Sequence, residues 1–238
     1  MISTEVSTEE KKEYISKTIS PGNRIVKINS IKFYKTKIGY NVILNVESKP
    51  IGGDFEGFAI DKENPNKGKY LGQVGKVKLS RFPFNGDKWD GSKWVPSDNP
   101  EDAMNNKIKW AIQSILMEGG HKLDEYGKSF ESWEDFEKLF NEKNILKDVW
   151  FEMALGGEEE FNEQGFKNVK LFLLPRTKEA KNIRLESNSL VSIVKFDANN
   201  PKHLVPPKTA VISDDKSEPT PPPTPEMKPQ EKKDELPF

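Results

Sequence analysis

The chain of 238 residues has no cysteine, which excludes disulfides and thiolate metal sites and leaves the redox compartment unreadable. Histidine is scarce: His121 and His203 lie far apart in sequence, without a ligand-spaced carboxylate motif, so no metal or other cofactor is expected. No apolar run approaches the ~20 residues that a membrane helix needs. The opening Met1-Ile2-Ser3-Thr4-Glu5 has neither a basic n-region nor an apolar stretch, so no secretory signal is read. A cytoplasmic chain with no membrane partner is the expectation. Phosphate-loop and Gly-x-Ser-x-Gly sequences are also missing. Glu158, Glu159 and Glu160 are consecutive, so they fan out as a solvated loop rather than converge on a substrate. An enzyme is therefore not the expected class; one acting on nucleic acid would need converging carboxylates and a metal.

What the chain does have is charge, and it is sorted. Hydrophobic residues make up 34% and mean hydropathy is −0.75, polar for a folded protein. Residues 20–97 carry 14 basic and 7 acidic side chains, a net of +7. Residues 98–165 carry 7 against 17, a net of −10, and residues 166–212 return to +6 with 9 against 3. The formal total of −1 thus conceals a basic surface able to face a polyanion. The plainer alternative is that acidic helices and basic strands neutralise each other within the fold.

Hydrophobic periodicity divides the chain into elements. Residues 1–20 are polar and read as a flexible N-terminal arm, closed by Ser20-Pro21-Gly22. Ile25, Val26, Ile28, Ile31 and Phe33 alternate imperfectly, as in a curved strand with a bulge. Tyr40, Val42, Leu44 and Val46 share one face of a second strand, after a hairpin link at Lys37-Ile38-Gly39. A third strand runs from Val74 to Leu79, and Trp89 and Trp94 flank a hairpin tip at Asp90-Gly91. Asn99, Pro100, Glu101 and Asp102 are a helix start. Met104, Ile108, Ala111, Ile112 and Ile115 then recur at helical spacing until Gly119-Gly120. A second helix opens at Ser132, with Asp135 completing a capping-box analogue. Strands at Val149–Leu155 and Val169–Leu174 follow, with Gly156-Gly157 read as a turn between them.

Three strands, a helical insertion at about 99–145 and two more strands make a mainly β domain over 21–205. That order fits an OB-fold, a five-stranded Greek-key barrel with a helix between its third and fourth strands; a mixed α+β domain of another topology stays open. Residues 206–238 turn to low complexity, with Thr220-Pro221-Pro222-Pro223-Thr224-Pro225, and are expected to be a disordered, Pro-rich acidic linker.

The last residues, Asp234, Glu235, Leu236, Pro237 and Phe238, place two apolar side chains where no core can take them. A partner pocket accounts for them: Phe238 enters an apolar cleft, Pro237 limits the freedom lost on docking, and the acids meet a basic rim. This ending resembles the acidic tip of bacterial and phage single-stranded-DNA-binding proteins. The resemblance covers only the tip and its linker, and Lys232-Lys233 stand where a further acid is usual. It implies that the chain coats single-stranded DNA during replication, recombination or repair and recruits partner enzymes through the tip. The large helical insertion suggests a divergent, phage-encoded form, in a host cytoplasm, and leaves the usual homo-oligomer open.

Single-strand binding needs a cationic track with aromatic faces on which bases stack. Residues 20–97 interleave the two, and the expected nucleic-acid-binding set is Lys32, Tyr34, Lys35, Lys37, Lys76, Lys78, Arg81, Trp89 and Trp94. Phe33, Phe55 and Phe58 are assigned to the core, and Trp110 and Trp150 to packing. The rival reading is a protein-interaction or virion structural module whose tail tethers it without binding DNA.

Overall fold

The computed structural model describes residues 15–207, apart from 54, 62, 65, 66, 127–130 and 144. Most of the expected N-terminal arm, all but the first residues of the expected linker, and the tip Asp234–Phe238 lie outside the described residues. The described end of the arm is fastened. Ile19 is buried, its N–H donates to Val74 O at 3.0 Å, and the Val74 N–H donates to Lys17 O at 2.8 Å.

Strand β1 (Gly22–Thr36) and strand β2 (Gly39–Ser48) form the expected antiparallel hairpin. Their register shifts between Ile28 and Ser30. That bulge explains the imperfect alternation, because one extra residue returns Ile31 and Phe33 to the face already held by Val26 and Ile28. At the turn, Gly39 has φ +151°, and a Cβ there would lie 1.8 Å from Phe84 O, so only glycine fits. A two-residue pairing of β3 (Phe58–Ala59) with β4 (Lys69–Tyr70) follows, then β5 (Val74–Lys78), then the hairpin of β6 (Asp87–Trp89) and β7 (Trp94–Pro96).

The insertion contains two helices, α1 (Pro100–Glu118) and α2 (Trp133–Lys143). Asn99 caps α1, its Oδ1 accepting from the Asp102 N–H at 3.4 Å. Ser132 caps α2 as expected, its Oγ accepting from the Asp135 N–H at 3.1 Å, while the Asp135 carboxylate accepts from the Ser132 hydroxyl at 2.8 Å rather than from its backbone N–H. Helix α1 buries Ile108, Ile112, Ile115 and Leu116. Helix α2 lies along the part of β1 that has a neighbouring strand on one side only. There Asn141 bonds both the N–H and the C=O of Ile31, and Glu137 Oε2 accepts from the Phe33 N–H at 2.8 Å. Side chains thus cap a strand edge that would otherwise be open to pairing. Phe33 stacks on Trp133 at 5.4 Å and meets Phe136 edge-on, which fixes the docking.

Strand β8 (Trp150–Phe161) and strand β9 (Lys167–Leu173) complete the main sheet, with β10 (Ile183–Leu185) and β11 (Leu204–Val205) added to β8. Five strands bond in a closed ring, β1–β2–β5–β9–β8 and back to β1. All its pairings are antiparallel except β5 with β9, which run parallel at Val77↔Leu171 and Lys78↔Phe172. The protein is therefore mainly β, with a mixed sheet and a helical insertion between β5 and β8. Inside the ring lie Val26, Ile28, Leu44, Val46, Val77, Phe151, Met153 and Leu155, joined by the buried faces of both helices. Among the described residues no helix is long and apolar enough to cross a membrane.

Three local expectations are corrected. Gly156 and Gly157 are not a turn but lie within β8. A Cβ on Gly156 would sit 2.6 Å from the Phe172 ring, and one on Gly157 would sit 2.6 Å from Pro21 and Val169, so the pair permits close packing. Glu158, Glu159 and Glu160 continue the same strand opposite β9 instead of forming a loop; Glu159 pairs with Lys167, and Glu160 with Lys170. Phe55 and Phe58 are half-buried and pack on each other at 4.7 Å beside β3, outside the core.

Candidate nucleic-acid interface

The outward positions of β1, β2 and β5 follow from the inward ones. With Ile31, Phe33, Val42, Leu44 and Val77 buried, the alternation turns Lys32, Tyr34, Asn41, Ile43, Asn45, Lys76 and Lys78 outward. The register sets them in rows. Ile43 lies opposite Lys32 on one side and Lys78 on the other; Asn45 lies opposite Ser30 and Lys76 in the same way. Strands lie ~4.8 Å apart, so Lys32 and Lys78 are about 10 Å apart at their Cα atoms. The Lys32 ammonium sits 5.1 Å from the Tyr34 ring centroid, a cation–π contact that also holds the ring on the surface. Toward β9 this face deepens into a groove of about 740 Å³ that includes Asn45, Tyr70, Lys76, Lys78 and Lys170.

The cations of this face differ in their partners from Lys27, Lys49 and the cations of β9 and β10. Lys27 pairs with Glu47 at 3.3 Å, Lys49 with Glu186, Arg184 with Glu152, Lys167 with Glu159 and Lys170 with Glu160. Lys32, Lys35, Lys37, Lys76 and Lys78 have no carboxylate within salt-bridge distance among the described residues. Unpaired cations beside an exposed ring can hold phosphates in a row while a base stacks.

The nine residues expected from sequence do not form one patch. Lys32, Tyr34, Lys76 and Lys78 meet on the open face. Lys35 has the parity of Phe33, and Lys37 sits in the hairpin turn, so both lie at the end of the hairpin rather than in the rows. Arg81 follows β5; its guanidinium approaches Glu158 at 3.6 Å and lies 5.0 Å from the Phe82 ring. Its Nε is buried without a hydrogen-bond partner among the described residues. Trp89 and Trp94 face each other across the β6–β7 hairpin, rings 5.6 Å apart.

The assignment of Trp110 to packing is corrected. It is not packed: it is exposed on α1 and, with Phe82, Trp94, Lys107 and Arg176, lines a cleft of about 800 Å³. The signal was present, because Trp110 lies about 200° around the helix from Ile108, off the stripe of Ile108, Ile112 and Ile115. Lys107 donates to Asn85 O and Oδ1, both at 3.1 Å, and its ammonium lies 4.5 Å from the Trp94 centroid. Burial holds its pKa below the usual lysine range, with Asp87 acting in the opposite direction. Trp150 is half-buried, flanked by the ammonium groups of Lys27 and Lys49, each 5.8 Å from its ring. Tyr70, Lys170, Lys107 and Arg176 are the lining residues that motif reading passed over.

Comparison with known proteins returns no match: no family model, curated protein or solved structure aligns with the chain.

Proposed function

We propose that the chain binds single-stranded DNA with little sequence preference, across the open face of β1, β2 and β5. The observation that carries this reading is the set of unpaired lysines, Lys32, Lys76 and Lys78, in rows beside Tyr34, in a protein that pairs its cations on the neighbouring strands. The ring order and the parallel β5–β9 pairing favour an OB-type five-stranded barrel, whose second and third strands carry the binding face. In this chain those strands are β2 and β5. Phosphates meet the lysines and bases meet ring faces, so affinity depends on salt and not on a base-edge code. The protein protects exposed strands in replication, recombination or repair, and Asp234–Phe238 recruit partner enzymes.

Fluorescence anisotropy with a labelled oligo-dT at low salt tests the reading. Saturable binding that weakens steeply with added salt supports it; no binding at low salt returns the chain to the class of interaction or structural modules. Removing residues 213–238 should keep or raise DNA affinity while abolishing retention of a replication enzyme. Loss of DNA binding on that deletion would contradict the division of labour.

A further inference from the structure

Three large rings stand together in solvent: Phe82 is 66% exposed, Trp94 59% and Trp110 73%. They line the cleft between the segment after β5, the β6–β7 hairpin and α1. A joint exposure of this kind marks a surface that receives something. We propose that this cleft is a second subsite for single-stranded DNA, holding unstacked bases of the strand whose backbone crosses the open face. The inference rests on the binding reading above and extends it to the helical insertion.

Continuity favours this occupant. β5 carries Lys76 and Lys78 on the open face and runs directly into Arg81 and Phe82. Phe82 lies four positions after Lys78, a reach of ~14 Å at most. One strand can therefore leave the lysine rows and enter the cleft.

The chemistry of the lining agrees. Its cations are Lys107, over the Trp94 ring, and Arg176, which is exposed and pairs with no carboxylate among the described residues. Its one carboxylate, Asp87, accepts from Asn85 Nδ2 at 2.7 Å. The two side-chain amides are engaged internally: Asn182 Nδ2 donates to Leu174 O at 2.7 Å, and Asn85 Oδ1 accepts from Lys107. A peptide laid in the cleft would need partners for its backbone N–H and C=O groups, and Asn85 is already engaged through both its oxygen and its nitrogen. A base needs only a ring face and a nearby cation for its phosphate, and any base will serve. The volume, about 800 Å³, lies within the range of ligand sites.

The test separates bases from backbone. The full chain, Trp110→Ala and Trp94→Ala are titrated at low salt with labelled oligo-dT and with a strand of equal length made of abasic sites. Position 110 is an exposed helix site where alanine is the best helix former, and circular dichroism verifies the fold. The full chain should prefer oligo-dT by about fivefold or more. Trp110→Ala should remove most of that preference and leave abasic binding and its salt dependence unchanged, with Trp94→Ala acting in the same direction. The inference is overturned if both variants keep the full preference, if the full chain has none, or if the variants weaken both strands equally. In those outcomes salt-dependent binding by the full chain leaves the open-face reading intact. Failure of the full chain to bind either strand removes both.

Discussion

The outer surface of the ring has two halves built from the same alternation and finished differently. On β8, β9 and the residue after it the outward positions include Ala154, Phe172 and Leu174, and the chain that follows returns to bury them with Val194, Ile193 and Phe196. That cover is pinned by backbone and side chain: the Gly157 N–H donates to His203 O at 2.8 Å, and Asn23 bonds Val194 O and the Phe196 N–H. On β1, β2 and β5 the outward positions include Lys32, Tyr34, Asn41, Ile43, Asn45, Lys76 and Lys78, and these three lysines meet no carboxylate among the described residues. A sheet face with apolar outward residues needs a lid, whereas one with cations can stay open to water. The chain supplies the lid itself, and among the described residues it supplies no carboxylate to Lys32, Lys76 or Lys78.

The comparison can be broken from either side. The largest effect is expected from the covered half. Phe172→Ala removes a buried ring from beneath the lid and should cost about 3–5 kcal/mol of stability in urea denaturation; a loss below about 1 kcal/mol would mean that the lid is not a packed element. On the open half, Lys76→Glu with Lys78→Glu should weaken oligo-dT binding about 100-fold at low salt. Stability should stay within about 0.5 kcal/mol, since both changes are on the surface. Equal losses of binding from Lys167→Glu, on the neutralised half, would erase the distinction.

Strand and helix positions were largely legible in the sequence, because Val77 between Lys76 and Lys78, or Ile108, Ile112 and Ile115, carry the period of one face each. The lid was not. Leu171-Phe172-Leu173-Leu174 is a continuous apolar run, which signals a strand buried on both faces but cannot name the segment that buries it. Gly156-Gly157 misled because a glycine pair is a turn signal locally, whereas here it answers a long-range contact with Phe172, Val169 and Pro21. Lys32 and Tyr34 stood out because a cation beside an aromatic is a local pattern, and Lys76 and Lys78 because they alternate with Val77 and Leu79. Their meeting depended on the β1–β2–β5 register, and Lys35 and Lys37 fell away from it by parity and by the turn. Trp110 was misread because residue type was weighed above its angle on the helix. Arg176, 82 residues from Trp94 in sequence, reaches the cleft through the ring topology alone.

The central claim is that the lysines without carboxylate partners hold phosphates. The direct measurement is the salt dependence of oligo-dT affinity for the full chain and for the triple variant Lys32→Ala, Lys76→Ala, Lys78→Ala. Each phosphate contact on a single strand contributes about 0.7 to the slope of log K against log salt. The triple variant should therefore have a slope shallower by about 2, with an unchanged unfolding midpoint. An unchanged slope, or no binding by the full chain at low salt, would contradict the account.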